Sequence, residues 1–282
     1  MSRLEVRKTY KLYIGGKFPR TESGRTYELV DRKGGVLANI CRGSRKDFRN
    51  AVVAARKAQP GWAGTTAYLK GQILYRVAEV LEGRSAQFVE ELVAQGSTTA
   101  AARKEVAATI DLLVHYAGWS DKYQAVFSSV NPVAGPHFNF SRPESTGVVA
   151  VAAPSKSGLL GLASVIAPAI VGGNTVVLLA SEGRPLSAVS FGEVLATSDV
   201  PGGVVNILTG HREELLKQMA SHMDVNAIIL CSPEAEERKL VQLEASHNVK
   251  RVLLREDGPL DLSPYHVMDL QEIKTTWHPV GV

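Results

Sequence analysis

Cysteine is scarce: Cys41 and Cys231 are the two in 282 residues, far apart and outside any metal-ligand spacing. That excludes a disulfide framework and a thiolate zinc site, and it points to a reducing, cytoplasmic compartment. The seven histidines never fall at ligand spacing, and His211 and His222 bracket one predicted helix without carboxylate partners, so no metal is expected. Blocks of one charge are missing too. The formal net charge of +4 is spread along the chain, with short basic stretches at Arg45-Lys46 and Lys250-Arg251, and no aromatic platform interleaves them. Nucleic acid is therefore not an expected partner. Long apolar runs are also lacking, because the stretch from Gly158 to Gly173 is interrupted by Ser164, Pro168 and several glycines, too short and broken to span a bilayer. No membrane partner is expected. The opening residues, MSRLEVRKTYKLYIGGK, alternate charge with apolar side chains and carry no apolar core followed by a small-residue cleavage site.

What is present suits a large buried core, with 45% hydrophobic and 21% charged residues. Tyr10 to Gly43 reads as short strands punctuated by Gly15-Gly16 and Gly34-Gly35, pairs that permit positive φ in tight turns. Ser44 caps a helix through Ala58 that Pro60-Gly61 closes. Further helices span Thr65 to Gly83, Ser85 to Gln95, and Thr98 through Tyr123. Phe127 to Arg142, with Pro132, Gly135 and Pro136 between short alternating runs, reads as a protruding hairpin. From Gly147 apolar β-branched runs alternate with helices: VVAVAAP, TVVLLA, VVNILTG, AIILC and KRVLLRE. That alternation predicts a parallel sheet covered on both faces, a doubly wound α/β fold of Rossmann type. The last run, EIKTTWHPV, reads as a strand with Ile273, Thr275 and Trp277 on a packed side and Glu272, Lys274, Thr276 and His278 on a wet side.

Four stretches, YIGGKF, YAGWSDKY, RPESTGVVAVAAP and DVPGGVVNILTG, resemble the aldehyde dehydrogenase superfamily, and the likeness extends from about Tyr10 to Val282. The resemblance implies an NAD-binding-like Rossmann domain over 1–125 and 147–262, and an oligomerisation β-flap over 126–146 and 263–282. It also implies that a catalytic domain normally stands between the last Rossmann strand and the C-terminal flap strand. Here KRVLLREDGPLD is followed closely by DLQEIKTTWHPVGV, so that domain, with its nucleophilic cysteine, is expected to be missing. Cys41 and Cys231 do not match its place and read as buried structural thiols.

Other positions matched to the family's motifs are degenerate. The asparagine that holds the oxyanion corresponds to Lys156 in Pro154-Ser155-Lys156, a flexible ammonium in place of a fixed amide donor. The general-base glutamate corresponds to Arg255 in Leu254-Arg255-Glu256-Asp257-Gly258; a guanidinium cannot accept a proton, and Glu256, one step along, turns to the other side of the strand. The Gly-Ser-Thr turn beneath the pyrophosphate corresponds to Ser232-Pro233-Glu234, which loses close backbone approach and adds a carboxylate. The lysine that contacts the ribose corresponds to Leu179; Glu182 matches the family's glutamate but reads more simply as a solvated loop-end carboxylate. Glu182 and Ser232 are thus vestigial cofactor candidates. Asp111 and His115, four apart on a helix, read as structural, and Gly172-Gly173 as a turn without the P-loop's GK[ST].

The combination most resembles the C-terminal pseudo-aldehyde-dehydrogenase domain of the superfamily's family sixteen. It implies a non-catalytic subunit, with no cofactor, that assembles with an active aldehyde dehydrogenase or self-associates through the strand bearing Ile273, Thr275 and Trp277. Two rival expectations are an NAD- or NADP-dependent oxidoreductase using Lys156 or a partner's residues, and a nucleotide-sensing Rossmann module.

Overall fold

The computed structural model describes residues 7–31 and 33–281. The first six residues of the opening segment lie outside the described range. The chain begins with three short strands, β1 (Thr9–Tyr10), β2 (Thr26–Val30) and β3 (Val36–Cys41), forming a sheet in the order β1-β3-β2. Four helices follow: α1 (Arg45–Ala63), α2 (Ala67–Gly83), α3 (Ser85–Ala94) and α4 (Thr99–Trp119), then a short α5 (Tyr123–Phe127). Ser44 caps α1 as a full capping box, its hydroxyl accepting from the Asp47 N–H while the Asp47 carboxylate accepts from the Ser44 N–H.

Two helix boundaries differ from expectation. Pro60-Gly61 does not close α1, which runs on to Ala63 because buried Trp62 donates its indole N–H to the Ile170 carbonyl at 2.8 Å and fixes the last turn. The helix expected through Tyr123 breaks after Trp119: the Ser120 hydroxyl turns back to the Ala117 carbonyl at 2.8 Å, and α5 starts afresh at Tyr123. The hairpin strands, β4 (Ser129–Asn131) and β5 (His137–Ser145), start after Phe127 and run past Arg142.

Next come β6 (Val148–Ala152), α6 (Leu160–Val171), β7 (Thr175–Leu179), α7 (Leu186–Ala196), β8 (Val205–Leu208), α8 (Arg212–Ser221), β9 (Ala227–Cys231), α9 (Ala235–Ser246) and β10 (Arg251–Arg255). The five strands are parallel in the order β10-β9-β6-β7-β8. Alternate strand residues enter two cores: Val149, Val151, Val176 and Leu178 face α6, α7 and the α2–α4 layer, whereas Val148, Ala150, Val177 and Ile228 face α1 and α8. Winding therefore reverses between β6 and β9, the doubly wound arrangement expected. Two of the quoted stretches meet at its far edge. The Gly15 N–H donates to the Asn206 side chain at 2.9 Å, and Gly203, at φ +98°, lies so close to α1 that an added Cβ would stand 2.6 Å from the Ala54 carbonyl.

After β10 the chain passes through α10 (Tyr265–Met268) to β11 (Gln271–Pro279), which pairs antiparallel with β5 in a three-stranded sheet ordered β11-β5-β4. The expected packed side of β11 is open at the strand itself, with Ile273 56% and Trp277 61% exposed, although Asn139, which pairs with Trp277 on β5, is 2% exposed on the same face.

Candidate functional site

In a doubly wound sheet the ligand crevice lies beyond the carboxyl ends of the strands at the reversal, here between Ala152-Ala153 and Cys231-Ser232. Arg212, the first residue of α8, reaches into it. Its guanidinium donates to the Ala153 carbonyl at 2.6 Å and, more weakly, to the Cys231 carbonyl at 3.4 Å, and pairs with Glu237 of α9 at 3.1 Å. A cation at a helix N-terminus opposes the macrodipole. The compensation is Glu182, whose carboxylate accepts from the Arg212 backbone N–H and lies 3.2 Å from the His211 ring. Glu182 is therefore a cap on α8 rather than a merely solvated carboxylate, and His211 does have a carboxylate partner. Both follow from the fold bringing the loop after β7 beside the start of α8.

Ser232, fully buried, accepts at its hydroxyl from the Glu234 N–H at 3.1 Å, while its carbonyl accepts from Arg238 at 2.7 Å. The start of α9 thus forms a closed turn on its own side chains, with Pro233 and Glu234 exposed in front of it. Leu179 is buried in β7.

Lys156 and Arg255 are not brought together. Lys156 stands exposed on the loop after β6. Arg255, at the end of β10, is bonded to the Asp269 carboxylate, which also faces the His266 ring at 3.3 Å. Glu256 points outward and pairs with Arg238 at 3.3 Å, its side chain 88% exposed. Cys231 is fully buried at the end of β9, and burial pushes its thiol up to about 12; Cys41 is also buried. Cys231 is therefore not poised as a thiolate. The Asp111 carboxylate is exposed, and the His115 Nε2 is buried without a partner among the described residues, so they form no dyad.

Two carboxylates escaped the sequence reading. Asp257, buried beside the crevice, accepts from both the backbone N–H and the hydroxyl of Ser155. Burial pushes its carboxyl up, but the Ser155 donors and the Lys156 and Arg212 charges outweigh this and hold it below the usual carboxylate range. Glu105 of α4 accepts from the Ser157 hydroxyl at 2.7 Å and the Leu159 and Leu160 N–H groups at 3.0 and 3.2 Å, capping α6 from outside. Nothing local marks Glu105. For Arg212 a signal existed: a basic residue at the first position of a helix goes against the dipole and calls for another partner.

Comparison with known proteins fits this architecture. The chain is 33% identical over 267 residues to a mitochondrial aldehyde dehydrogenase of Leishmania tarentolae, covering 93% of this chain and 53% of that protein. It is 29% identical to the cytosolic 10-formyltetrahydrofolate dehydrogenase of Mus musculus, covering 96% of this chain and 31% of the relative. The chain thus spans about half the length of the former and less of the latter. The NAD+ complex of an aldehyde dehydrogenase from Bacillus cereus superposes with a TM-score of 0.83 at 25% identity, over 88% of this chain and 50% of that one. PnpE from Pseudomonas superposes with a TM-score of 0.84 at 28% identity, over 88% and 51%. No helix among the described residues is long and apolar enough to cross a membrane. With the aldehyde dehydrogenase family profile matching residues 19–269, the chain belongs to the aldehyde dehydrogenase family.

Proposed function

We propose that this chain is a catalytically inert member of the family that serves as an assembly subunit for an active aldehyde dehydrogenase, joined through the β4-β5-β11 flap. The observation that carries the reading is Arg255: at the position matched to the general base stands a guanidinium, a group of donors with no acceptor, bonded to Asp269. The crevice supports it. A dinucleotide does not fit the residues present, because the Arg212 guanidinium occupies the strand ends and the α9 turn is closed on Ser232 behind Pro233 and Glu234. No reaction step is therefore assigned to a cofactor. The surface left to act is the flap, where Ile273 and Trp277 are exposed on one face and Val130 and Phe138 on the other. Large uncovered apolar side chains on a sheet suit protein contact.

The test is direct. The purified chain, offered NAD or NADP and a panel of aldehydes, should form no reduced dinucleotide and show no esterase turnover. Calorimetry with oxidised and reduced dinucleotides should show no saturation in the micromolar range. Deleting Gln271 to Val282, or Trp277→Ala, should abolish or weaken co-purification with an active family member. Turnover that survives Cys41→Ser with Cys231→Ser but disappears in Lys156→Ala would overturn the reading in favour of new chemistry at Lys156. Saturable dinucleotide binding without turnover would favour a sensing module.

A further inference from the structure

A second cavity, of about 570 Å³, lies outside the strand-end crevice. The end of α1, the start of α2, the α5 segment and β5 form its walls, and the lining is polar, with Gln59, Thr66, Lys70, Gln124, Arg142 and Glu144 among it. Lys70 is the unusual group there. It is 6% exposed, and its ammonium, which has three donors to place, meets one protein acceptor among the described residues, the Ala63 carbonyl at a long 3.3 Å. Burial pushes its pKa down, and no facing carboxylate offsets this. A buried charge without a counter-charge is costly. Arg142 is already satisfied: it pairs with Glu144 at 2.6 Å, and Glu144 also pairs with Lys274 at 3.3 Å. The carboxylate at this cavity is thus held by two cations, and Lys70 is left without one.

The start of α2 brings a further donor to the same place. Lys70 is the fourth residue of this 17-residue helix, and helical side chains lean back toward the N-terminus, which is how its ammonium reaches the Ala63 carbonyl ahead of the helix. The Thr66 hydroxyl accepts from the Leu69 N–H at 3.3 Å, and the Thr66 carbonyl from the Lys70 N–H at 3.1 Å. The N–H of Ala67, the first helical residue, has no acceptor among the described residues, and Ala67 lines the cavity. A buried ammonium and an orphan amide at the positive end of a helix therefore meet at one cavity.

We propose that this cavity binds a phosphate group, held by the Lys70 ammonium and the Ala67 N–H at the start of α2. Separate point donors converging on one spot suit the oxygens of a tetrahedral anion. A planar carboxylate is better met by the fork of an arginine, and the arginine at this cavity is taken by Glu144. The cavity is larger than one phosphate group, so it has room for a phosphomonoester of a small molecule, with Gln59 and Gln124 on the walls beside the ester group. The inference goes beyond the assembly role and does not depend on it, since neither donor belongs to the β4-β5-β11 sheet.

Calorimetric titration of the full chain with sodium phosphate, against sodium chloride of matched ionic strength, should show saturable binding. Lys70→Met keeps the aliphatic stem and should raise the dissociation constant about tenfold or more. Ala67→Pro removes the N–H alone: proline is favoured at the first helical position, and Thr66, at φ −59° and ψ 148°, already has the conformation that precedes proline. It should leave the Tm of the unliganded chain in place and raise the dissociation constant about threefold or more. This variant carries the test if Lys70→Met does not fold. Methyl phosphate identifies the source of the group: binding at least as tight as inorganic phosphate supports an ester ligand, and weaker binding supports the free anion. A Lys70 that only ties the end of α1 to the start of α2 would behave differently. No saturation by either phosphate up to about 10 mM, acetate binding as tightly as phosphate, or a dissociation constant unchanged in either folded variant would overturn the proposal.

Discussion

Replacing Arg212 by Met measures how much of the crevice is held by one guanidinium. Three contacts disappear. The bond to the Ala153 carbonyl, at 2.6 Å, matters most: Ala153 is 2% exposed, so its carbonyl loses a charged donor where water does not readily replace it. Hydrogen bonds to charged groups contribute about 1.5–3 kcal/mol, mainly through the buried partner left behind. The 3.4 Å contact with the Cys231 carbonyl is long and adds little. The ion pair with Glu237, with side chains 18% and 27% exposed, adds about 0.5–1 kcal/mol. Met retains the packing of the aliphatic stem. The sum is a loss of about 2–4 kcal/mol, and for a chain of this size about 2 °C per kcal/mol lowers Tm by about 4–8 °C. Urea unfolding should show a lower midpoint with an unchanged m value. In a cycle with Glu237→Gln the coupling should stay near 1 kcal/mol or below, placing the remainder on the carbonyls. A loss under about 0.5 kcal/mol, the range of ordinary surface changes, would refute the idea that the guanidinium fills the crevice.

Val249 is β-branched, 94% exposed, and held at φ +54°; Val249→Gly should raise stability by about 1 kcal/mol in urea titrations. Burial lowers Lys250 to about 8, so the unfolded chain binds the extra proton above that value; stability should rise from pH 8 to 9.5, before tyrosines titrate, and the slope should flatten in Lys250→Met. His266 is raised by its bond to Asp269, with Asp261 adding to it at 2.6 Å. Its stabilisation is complete below the unfolded value near 6.5 and lost as pH rises through the higher folded value, a dependence that His266→Gln should remove. Cys41 and Cys231 should resist a thiol reagent until the chain is unfolded in denaturant.

The parallel sheet was legible because β6 to β9 are buried on both faces and so read as unbroken apolar runs, bounded by helices of a different period. Helix ends were less legible where a distant contact decides them. Pro60 carries the local stop signal, but the Trp62 bond to Ile170 lies outside any local window. The strand alternation in β11 was correct as periodicity, yet it could not say what covers Ile273 and Trp277, because period reports a face and not its neighbour. Around the crevice, position matching named Lys156, Arg255 and Ser232 as candidates, but the pairs that fill their surroundings, Arg212 with Ala153 and Asp257 with Ser155, are long-range in sequence.

Those long-range pairs share a logic that bears on the proposed function. A crevice built for ligands presents donors and acceptors that a ligand completes, and an unoccupied one leaves them to water. Here four groups around the strand ends are completed from within the chain: the Ala153 carbonyl by Arg212, the Ser155 donors by Asp257, the start of α6 by Glu105 and the start of α8 by Glu182. A ligand entering would have to break charge-assisted bonds before making its own, so its net affinity would be reduced by their strength. The flap shows the opposite balance, with Ile273, Trp277, Val130 and Phe138 exposed and one strand edge unpaired among the described residues. Binding there covers apolar surface and completes backbone pairs without first breaking an internal ion pair. The energetic incentive to bind thus lies at the flap and not at the crevice, which supports assembly over catalysis.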